Sequence, residues 1–377
     1  MLDSRKKFIK TAHGSLRLPF FMPDATRGAL KACGSRDLKQ ARVEAMVVNT
    51  LHLYLQPGMK IIKKANGLHN FMNWTWPLLS DSGGYQVFSL IHKNPKMGKI
   101  SDKGAVFKSP LDGSQQVLTP EKSIQIQFDL GVDMMVCLDD CPPNDYDDKK
   151  MSEAVSITIN WARRCRREYD RQIRKRNYES KNRPLLFAVI QGGANLDLRK
   201  KCADELINYN FDGYGFGARP VDTEGKFLGE ALNYTARLIP DDKLKFALGV
   251  GIPEDIVRCA RMGWDMFDCT IPTREGRHGR LFLRKRNSKF QIPNSKQIQI
   301  SKFQIQKFYT TININNARFA GDFSAINGNS KVSELREYSK AYLHHLFKIK
   351  EPLGQRLASL NNLEFYADLM KAIRNSA

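Results

Sequence analysis

The chain has 377 residues, with 60 Lys and Arg against 39 Asp and Glu, a formal net charge of +21 at pH 7. A charge of that size calls for an acidic partner, nucleic acid before an anionic membrane, and no stretch of roughly 18 apolar residues offers a membrane span. Seven scattered cysteines, never spaced CxxC, and a basic N-terminus with no apolar segment behind it exclude a disulfide framework and an obvious zinc site, and lead us to expect a reduced, cytoplasmic protein.

Eight apolar runs are expected as strands. In chain order they are Pro19–Pro23 running into Asp24, Ala45–Val48 ending at Asn49, Pro77–Ser80 ending at Asp81, and Met134–Leu138 ending at Asp139-Asp140. Leu185–Ile190 then ends at Gln191, followed by Gly213–Ala218, Phe246–Val250 and Met266-Phe267 before Asp268. Amphipathic segments of helix length lie between several of them: Pro120–Leu130, Ser152–Arg176, Leu196–Asn208 and Pro253–Met262. Continuous apolar strands alternating with helices describe a parallel sheet covered on its faces. Eight such units in about 250 residues fit an α/β fold of the (β/α)8 TIM-barrel type better than an open sheet.

In such a barrel the active site lies at the C-terminal ends of the strands. Asn49, Asp81, Asp139, Gln191 and Asp268 each stand where an apolar run stops, so all five are expected in one mouth. Any one of them alone reads as a helix cap or turn residue. Three acids among them, in a chain this basic, favour a site that divides the labour of nucleophile, proton acceptor and hydrogen-bond acceptor. Ser82-Gly83-Gly84-Tyr85 reads as a tight loop whose tyrosine either stacks on a flat ligand or simply packs. After Asp268, Pro272 ends the strand, and a loop carrying Arg274, Arg277 and His278 is either a phosphate contact or solvated surface. The basic face of Arg163–Arg176 reads as solvated surface, and His52 as a structural histidine.

Past Gly279 the composition changes. SKFQI occurs at Ser288 and again at Ser301, within a basic, low-complexity stretch. Residues 271–377 carry 19 Lys and Arg against 7 Asp and Glu. Two closing helices are expected from the spacing of Val332, Leu335, Tyr338, Tyr342 and Leu346, and of Leu353, Leu357, Leu363, Tyr366, Met370 and Ile373. The expected organisation is a catalytic barrel over 1–283, a basic insertion over 284–309, and a small basic helical C-terminal appendage over 310–377 packed on the barrel.

Twelve segments in order resemble a known family. They are FFMPDAT, NTLHLYLQPG, GLHNFMNW, SDSGGYQVFSL, FKSPLDGS, PEKSIQIQ, CLDDC, IQGG, FDGYGFGA, ALGVGIPEDI, DMFDCTIPTREGRHG and SKAYLHHL. From about Pro19 to Ile373, apart from the insertion, the chain is similar to the tRNA-guanine transglycosylases, the bacterial queuine/preQ1 tRNA-ribosyltransferases. The resemblance implies a (β/α)8 barrel with a zinc-bearing appendage, and a homodimer acting on tRNA. The reaction it implies exchanges guanine at the wobble position of GUN-anticodon tRNAs for a 7-deazaguanine base, preQ1 or queuine, through a covalent ribosyl-aspartate. It casts Asp268 as the nucleophile on ribose C1′ and Asp81 as the general acid/base. Asp139 and Gln191 would read the base edge, Tyr85 would stack on it, and Asn49 would partner Asp81. Arg274 and Arg277 fall where the family meets the tRNA backbone.

Two departures qualify that reading. The family's Gly-Gly-Leu-Ala segment, whose backbone holds the base and its aminomethyl arm, is here Gly217-Ala218-Arg219-Pro220. Arg219 beside a cationic arm leaves the identity of the inserted base open. The family's zinc ligands, CxCxxC and a later His, fall on Ser330, Val332, Leu335 and Asn361, and no cysteine follows Cys269. No zinc cofactor is therefore expected, but a hydrophobic patch instead, with Val332 and Leu335 on one helical face against Leu357 or Leu363. Two other functions stay open: a non-catalytic tRNA-binding partner subunit, and a transglycosylase acting on DNA or another tRNA position.

Overall fold

Strands that are apolar along their whole length must be covered on both faces, and a closed parallel barrel ringed by helices does this without leaving an edge. The computed structural model describes residues 7–285 and 308–376. Its eight parallel strands are β1 (Phe20–Pro23), β2 (Met46–Val48), β3 (Leu78–Ser80), β4 (Met134–Val136), β5 (Leu185–Ile190), β6 (Gly213–Phe216), β7 (Leu244–Ala247) and β8 (Met266–Cys269). Each pairs with the next, β8 pairs back onto β1, and the seam between β1 and β2 is closed by a parallel bridge from Asp24 to Val47. All eight lie where the apolar runs were read. Only β7 is displaced, because Gly249, at φ 71°, turns the chain out of the sheet before Val250.

Side chains of alternate strand residues fill the barrel. Phe20 and Met22, Ala45 and Val47, Phe187 and Val189, and Met266 belong to one interior cluster. Its floor is laid by Ile9 and Leu16 from an antiparallel hairpin, Phe8–Thr11 with Gly14–Arg17. The outer layer is helical. Pro120–Leu130 and Pro253–Met262 have the expected limits, each with Pro in the first turn. Asp148–Lys175 starts earlier than its apolar periodicity suggests, because Asp147 caps it by accepting from the Lys150 N–H. Between β3 and β4 lies a three-stranded meander, Gly98–Ser101, Gly104–Lys108 and Gln115–Leu118, which the sequence reading does not contain.

Beyond the barrel, Arg280–Arg284 pairs antiparallel with Tyr309–Asn313, so the two ends of the insertion stand side by side. The expected low-complexity insertion falls mainly on residues 286–307, which lie outside the described residues. The first closing helix differs from expectation. It is two helices, Ser333–Glu337 and Lys340–Lys348, because extended Ser339 breaks the run and caps the second by accepting from the Tyr342 N–H. Val332 precedes the first of these helices, so it does not share a helical face with Leu335. The last helix, Pro352–Ser376, packs against the short helix Ile271–Arg277 so closely that a Cβ on Gly276 would meet the Ser359 nitrogen at 2.7 Å. Tyr366 Oη donates to the Gly251 carbonyl at 2.6 Å, and Asn362 Nδ2 donates to the carbonyls of Pro272 and Arg280. No helix among the described residues is long and apolar enough to cross a membrane.

Candidate active site

The inward alternation of the strands predicts which residues line the mouth. One step beyond the interior layer, the same parity reaches Asp24 after Met22, Asn49 after Val47, Asp81 after Leu79, Gln191 after Val189 and Asp268 after Met266. Asp139 stands outside this alternation because β4 ends at Val136. Its carboxylate nevertheless reaches the same layer, where Gln191 Nε2 donates to Asp139 Oδ2 at 2.7 Å.

Asp81 is the most elaborately held acid. Asn49 Nδ2 donates to its Oδ2 at 2.5 Å, while the backbone N–H groups of Thr50 and Gly83 donate to Oδ1 at 3.0 and 3.1 Å. Gln86 Nε2 adds a longer bond to Oδ2 at 3.3 Å. The Asn49 oxygen is itself fixed, accepting from the His52 N–H as the cap of a short helix. Asp268 Oδ1 accepts from the Gly249 N–H at 2.8 Å, the amide delivered by the turn after β7.

Burial raises the proton affinity of the whole group. It pushes Asp81 and Asp268 up to about 7, the nearby charge of Asp24 adding to both. Asp139 is pushed up to about 6 by burial, against the opposing hydrogen bond from Gln191. Asp140 rises to about 7 by burial beside Asp139, and one of its buried oxygens has no hydrogen-bond partner. Buried carboxyls that titrate near neutrality can both hold and give protons at working pH.

Two walls confine the Gln191–Asp139 pair. Gly217 approaches so closely that an added Cβ would meet Gln191 Cδ at 2.5 Å, so glycine is required there by space. Ala218 sits at φ 156°, a backbone state that L residues seldom adopt, and the carbonyl of the exposed Arg219 accepts from Asn144 Nδ2 at 3.1 Å. Arg199 ties the walls together. Fully buried and stacked 3.8 Å over the Phe216 ring, it donates to the carbonyls of Gly193, Ile190 and Gly217.

Tyr85 lies in the first turn of helix Gly84–Lys93, half-exposed, and lines a cavity of about 400 Å³ with Arg27, His52, Gln86 and Leu111. Arg274 and Arg277 are on a helix, Ile271–Arg277, and not on the expected loop: β8 has already ended at Cys269, and Pro272, expected to stop the strand, sits instead in the first helical turn. Arg274 is exposed beside Glu275, and Arg277 is half-buried. Sequence reasoning missed Asp24 and Arg199. The inward parity of β1 pointed to the first, whereas a basic residue within Leu-Arg-Lys-Lys carries no local sign of burial.

The positions of the family's zinc ligands do not fit a metal. Ser330, Val332, Leu335 and Asn361 are all buried, but they offer no thiolate or imidazole. The Ser330 hydroxyl donates to Glu364, which also accepts from the Lys331 N–H at 2.7 Å and from Arg42. Asn361 is bonded to the Phe282 carbonyl, to Asn362 and to Asn327. The expected apolar patch is thus half of the answer. Val332 and Leu335 join the cluster that holds Leu357 and Leu363, but a hydrogen-bonded knot on Glu364 does the rest.

Among the described residues one further group has metal-ligand chemistry, His13, His69 and Asp133 on the barrel floor. The two rings are stacked, centroids 3.5 Å apart and 16° from parallel, so their in-plane lone pairs do not converge on one point. Asp133 instead accepts from both rings and from the N–H groups of His13 and Leu78. That arrangement is a clasp holding the hairpin to the floor.

Comparison with known proteins gives the family of the chain. A family model described as queuine tRNA-ribosyltransferase matches residues 3–377. Proteins named queuine tRNA-ribosyltransferase are similar over nearly their whole lengths. The one from Halothermothrix orenii is 37% identical over 98% of this chain and 88% of its own. That from Caldanaerobacter subterraneus subsp. tengcongensis is 38% identical over 99% and 91%, and that from Blochmanniella pennsylvanica 40% over 96% and 89%. The chain therefore belongs to the queuine tRNA-ribosyltransferase family and is an enzyme of the pentosyltransferase class.

Proposed function

We propose that this protein exchanges guanine at the wobble position of GUN-anticodon tRNAs for a 7-deazaguanine base through a covalent ribosyl–Asp268 intermediate. The observation that carries the reading is the single inward layer in which the Asn49–Asp81 pair, the Gln191–Asp139 pair and Asp268 stand together. A carboxylate on a base-specific barrel suits exchange without hydrolysis, as in a retaining glycosidase. In the forward step the Asp268 carboxylate forms a bond to C1′, the C1′–N9 bond breaks, and Asp81 gives its proton to N9 of the departing guanine. In the return step Asp81 takes the N9 proton of the incoming base, N9 bonds to C1′, and Asp268 is released as carboxylate.

Asp139 accepts from the N–H donors of the guanine edge and Gln191 supplies a complementary donor. The base lies against Gly217, Ala218 and the backbone of Arg219, with Tyr85 stacking on it. Arg274, Arg277 and the strong positive charge of the chain draw in the tRNA backbone, and the target base leaves its stack to enter the mouth. We further propose that the appendage over 310–377 holds its place without zinc, and that the enzyme works in the cytoplasm as a homodimer. The test is incorporation of labelled guanine into unmodified GUN-anticodon tRNA and into DNA. Incorporation into the tRNA alone supports the reading; incorporation into DNA alone, or into neither, overturns it.

A further inference from the structure

Asp24 is a fourth mouth carboxylate with no part in the chemistry above. Strand β1 lies beside β8 with Met22 opposite Asp268 and Pro23 opposite Cys269, and the Asp24 N–H donates to the Cys269 carbonyl at 3.3 Å. Asp24 therefore follows the nucleophile's own strand neighbour on the inward face. The Thr26 hydroxyl donates to its Oδ1 at 2.6 Å. A turn on Thr26 accounts for that bond, but not for a carboxylate set in the same inward layer as Asp268 and Asn49. Burial raises its proton affinity, against the Thr26 hydrogen bonds and the charges of His52 and Lys31, so the placement costs stability that a neutral residue would not lose.

The order of strands around the barrel says what part of the substrate comes to it. Asp139 and Gln191 follow β4 and β5, whereas Asp268 lies near the end of β8 and Asp24 follows β1, half a turn away. A base read by the first pair and attacked at C1′ by Asp268 has its glycosidic bond laid across the mouth. Its pentose then falls on the β8–β1 side, and the hydroxyl nearest C1′ is the 2′-OH. Resting on the function proposed above, we infer that Asp24 accepts a hydrogen bond from the 2′-OH of the target nucleotide, making this enzyme selective for a ribonucleotide at the reacting position. A bond to the hydroxyl beside the reacting carbon strengthens as positive charge develops at C1′, as it does in glycoside hydrolysis.

The test crosses two changes, using the full-length protein and anticodon stem-loops carrying either guanosine or 2′-deoxyguanosine at the target position. Removing the 2′-OH lowers kcat/KM of the unmodified enzyme about 10–100-fold, and Asp24→Ala lowers it by a similar factor on the ribonucleotide substrate. Combining them costs no more than about twofold beyond either alone, and Asp24→Asn, which keeps an acceptor oxygen, recovers much of the loss. Losses that multiply, or an Asp24→Ala enzyme as selective as the parent, overturn the inference. Guanine exchange by the unmodified enzyme tests the underlying function separately. Should that exchange be absent, the same cycle is run on stem-loop binding, where coupling supports the contact and its absence overturns it.

Discussion

Gln191 and Asp139 follow neighbouring strands and meet at 2.7 Å, with both side chains buried. The pair presents a donor and an acceptor side by side, and the bare Cα of Gly217 leaves the room in which Gln191 turns toward Asp139. Gly217→Ala should push the amide off the carboxylate. We expect KM for the free base to rise about 10–100-fold, with tRNA affinity in a filter-binding assay unchanged. An unaltered KM would mean that the pair does not read the base.

Exchange should have a bell-shaped pH profile. The proposed exchange needs Asp268 ionised and Asp81 protonated, and burial pushes both up to about 7. Below that region Asp268 carries a proton and cannot attack; above it Asp81 has lost the proton that the leaving base needs. A profile of kcat/KM flat from pH 5 to 9 would contradict the assignment.

Asp268→Asn should abolish exchange and the covalent adduct, yet stabilise the fold. The carboxyl has a folded value of about 7 against 3.8 for the free group, so the native state keeps a proton that the unfolded chain releases. Stability from this group therefore falls as pH rises from 3.8 to about 7 and stays low above it. Removing the charge should raise Tm by about 1–3 °C at pH 8, and by nothing at pH 4. A lower Tm at pH 8 would show that Asp268 has a structural role.

Arg274→Ala and Arg277→Ala should weaken tRNA binding and each lower the slope of log affinity against log salt by about 1. An unchanged slope would confine these side chains to packing of the Ile271–Arg277 helix.

Glu364→Ala should lower stability by about 2–4 kcal/mol, because Ser330, Lys331 and Arg42 each lose an acceptor in a buried site. A strong chelator should leave the Tm of the parent protein where it was. A Tm that drops on chelation, and recovers with zinc, would refute the metal-free appendage.

Much of this molecule is legible in its sequence because the barrel strands are buried on both faces and so read as short, unbroken apolar runs. Asn49, Asp81, Gln191 and Asp268 stand out as the first polar residue after such a run. Asp24 obeys the same rule, but with Thr26 close behind it looks like an ordinary turn. A proline has two local readings, and here the wrong one comes first: Pro272 reads as a strand stop but lies in the first turn of the helix that carries Arg274 and Arg277. The helical spacing of Val332 to Leu346 continues through a place where the backbone does not, since periodicity cannot register Ser339 as a cap. Arg199 was illegible because its partners are three backbone carbonyls, assembled only when β5 and β6 are in place.

The docking of Pro352–Ser376 has a consequence for how the enzyme is made. Tyr366 holds the Gly251 carbonyl just past the turn that supports Asp268, and Asn362 holds one carbonyl in the first turn of the arginine helix and one just beyond its end. These residues follow every barrel strand in the chain. The strands emerge from the ribosome earlier, but the rim beside Asp268 waits for a helix still being synthesised or still in the exit tunnel. A nascent chain therefore has its carboxylates before it has their frame.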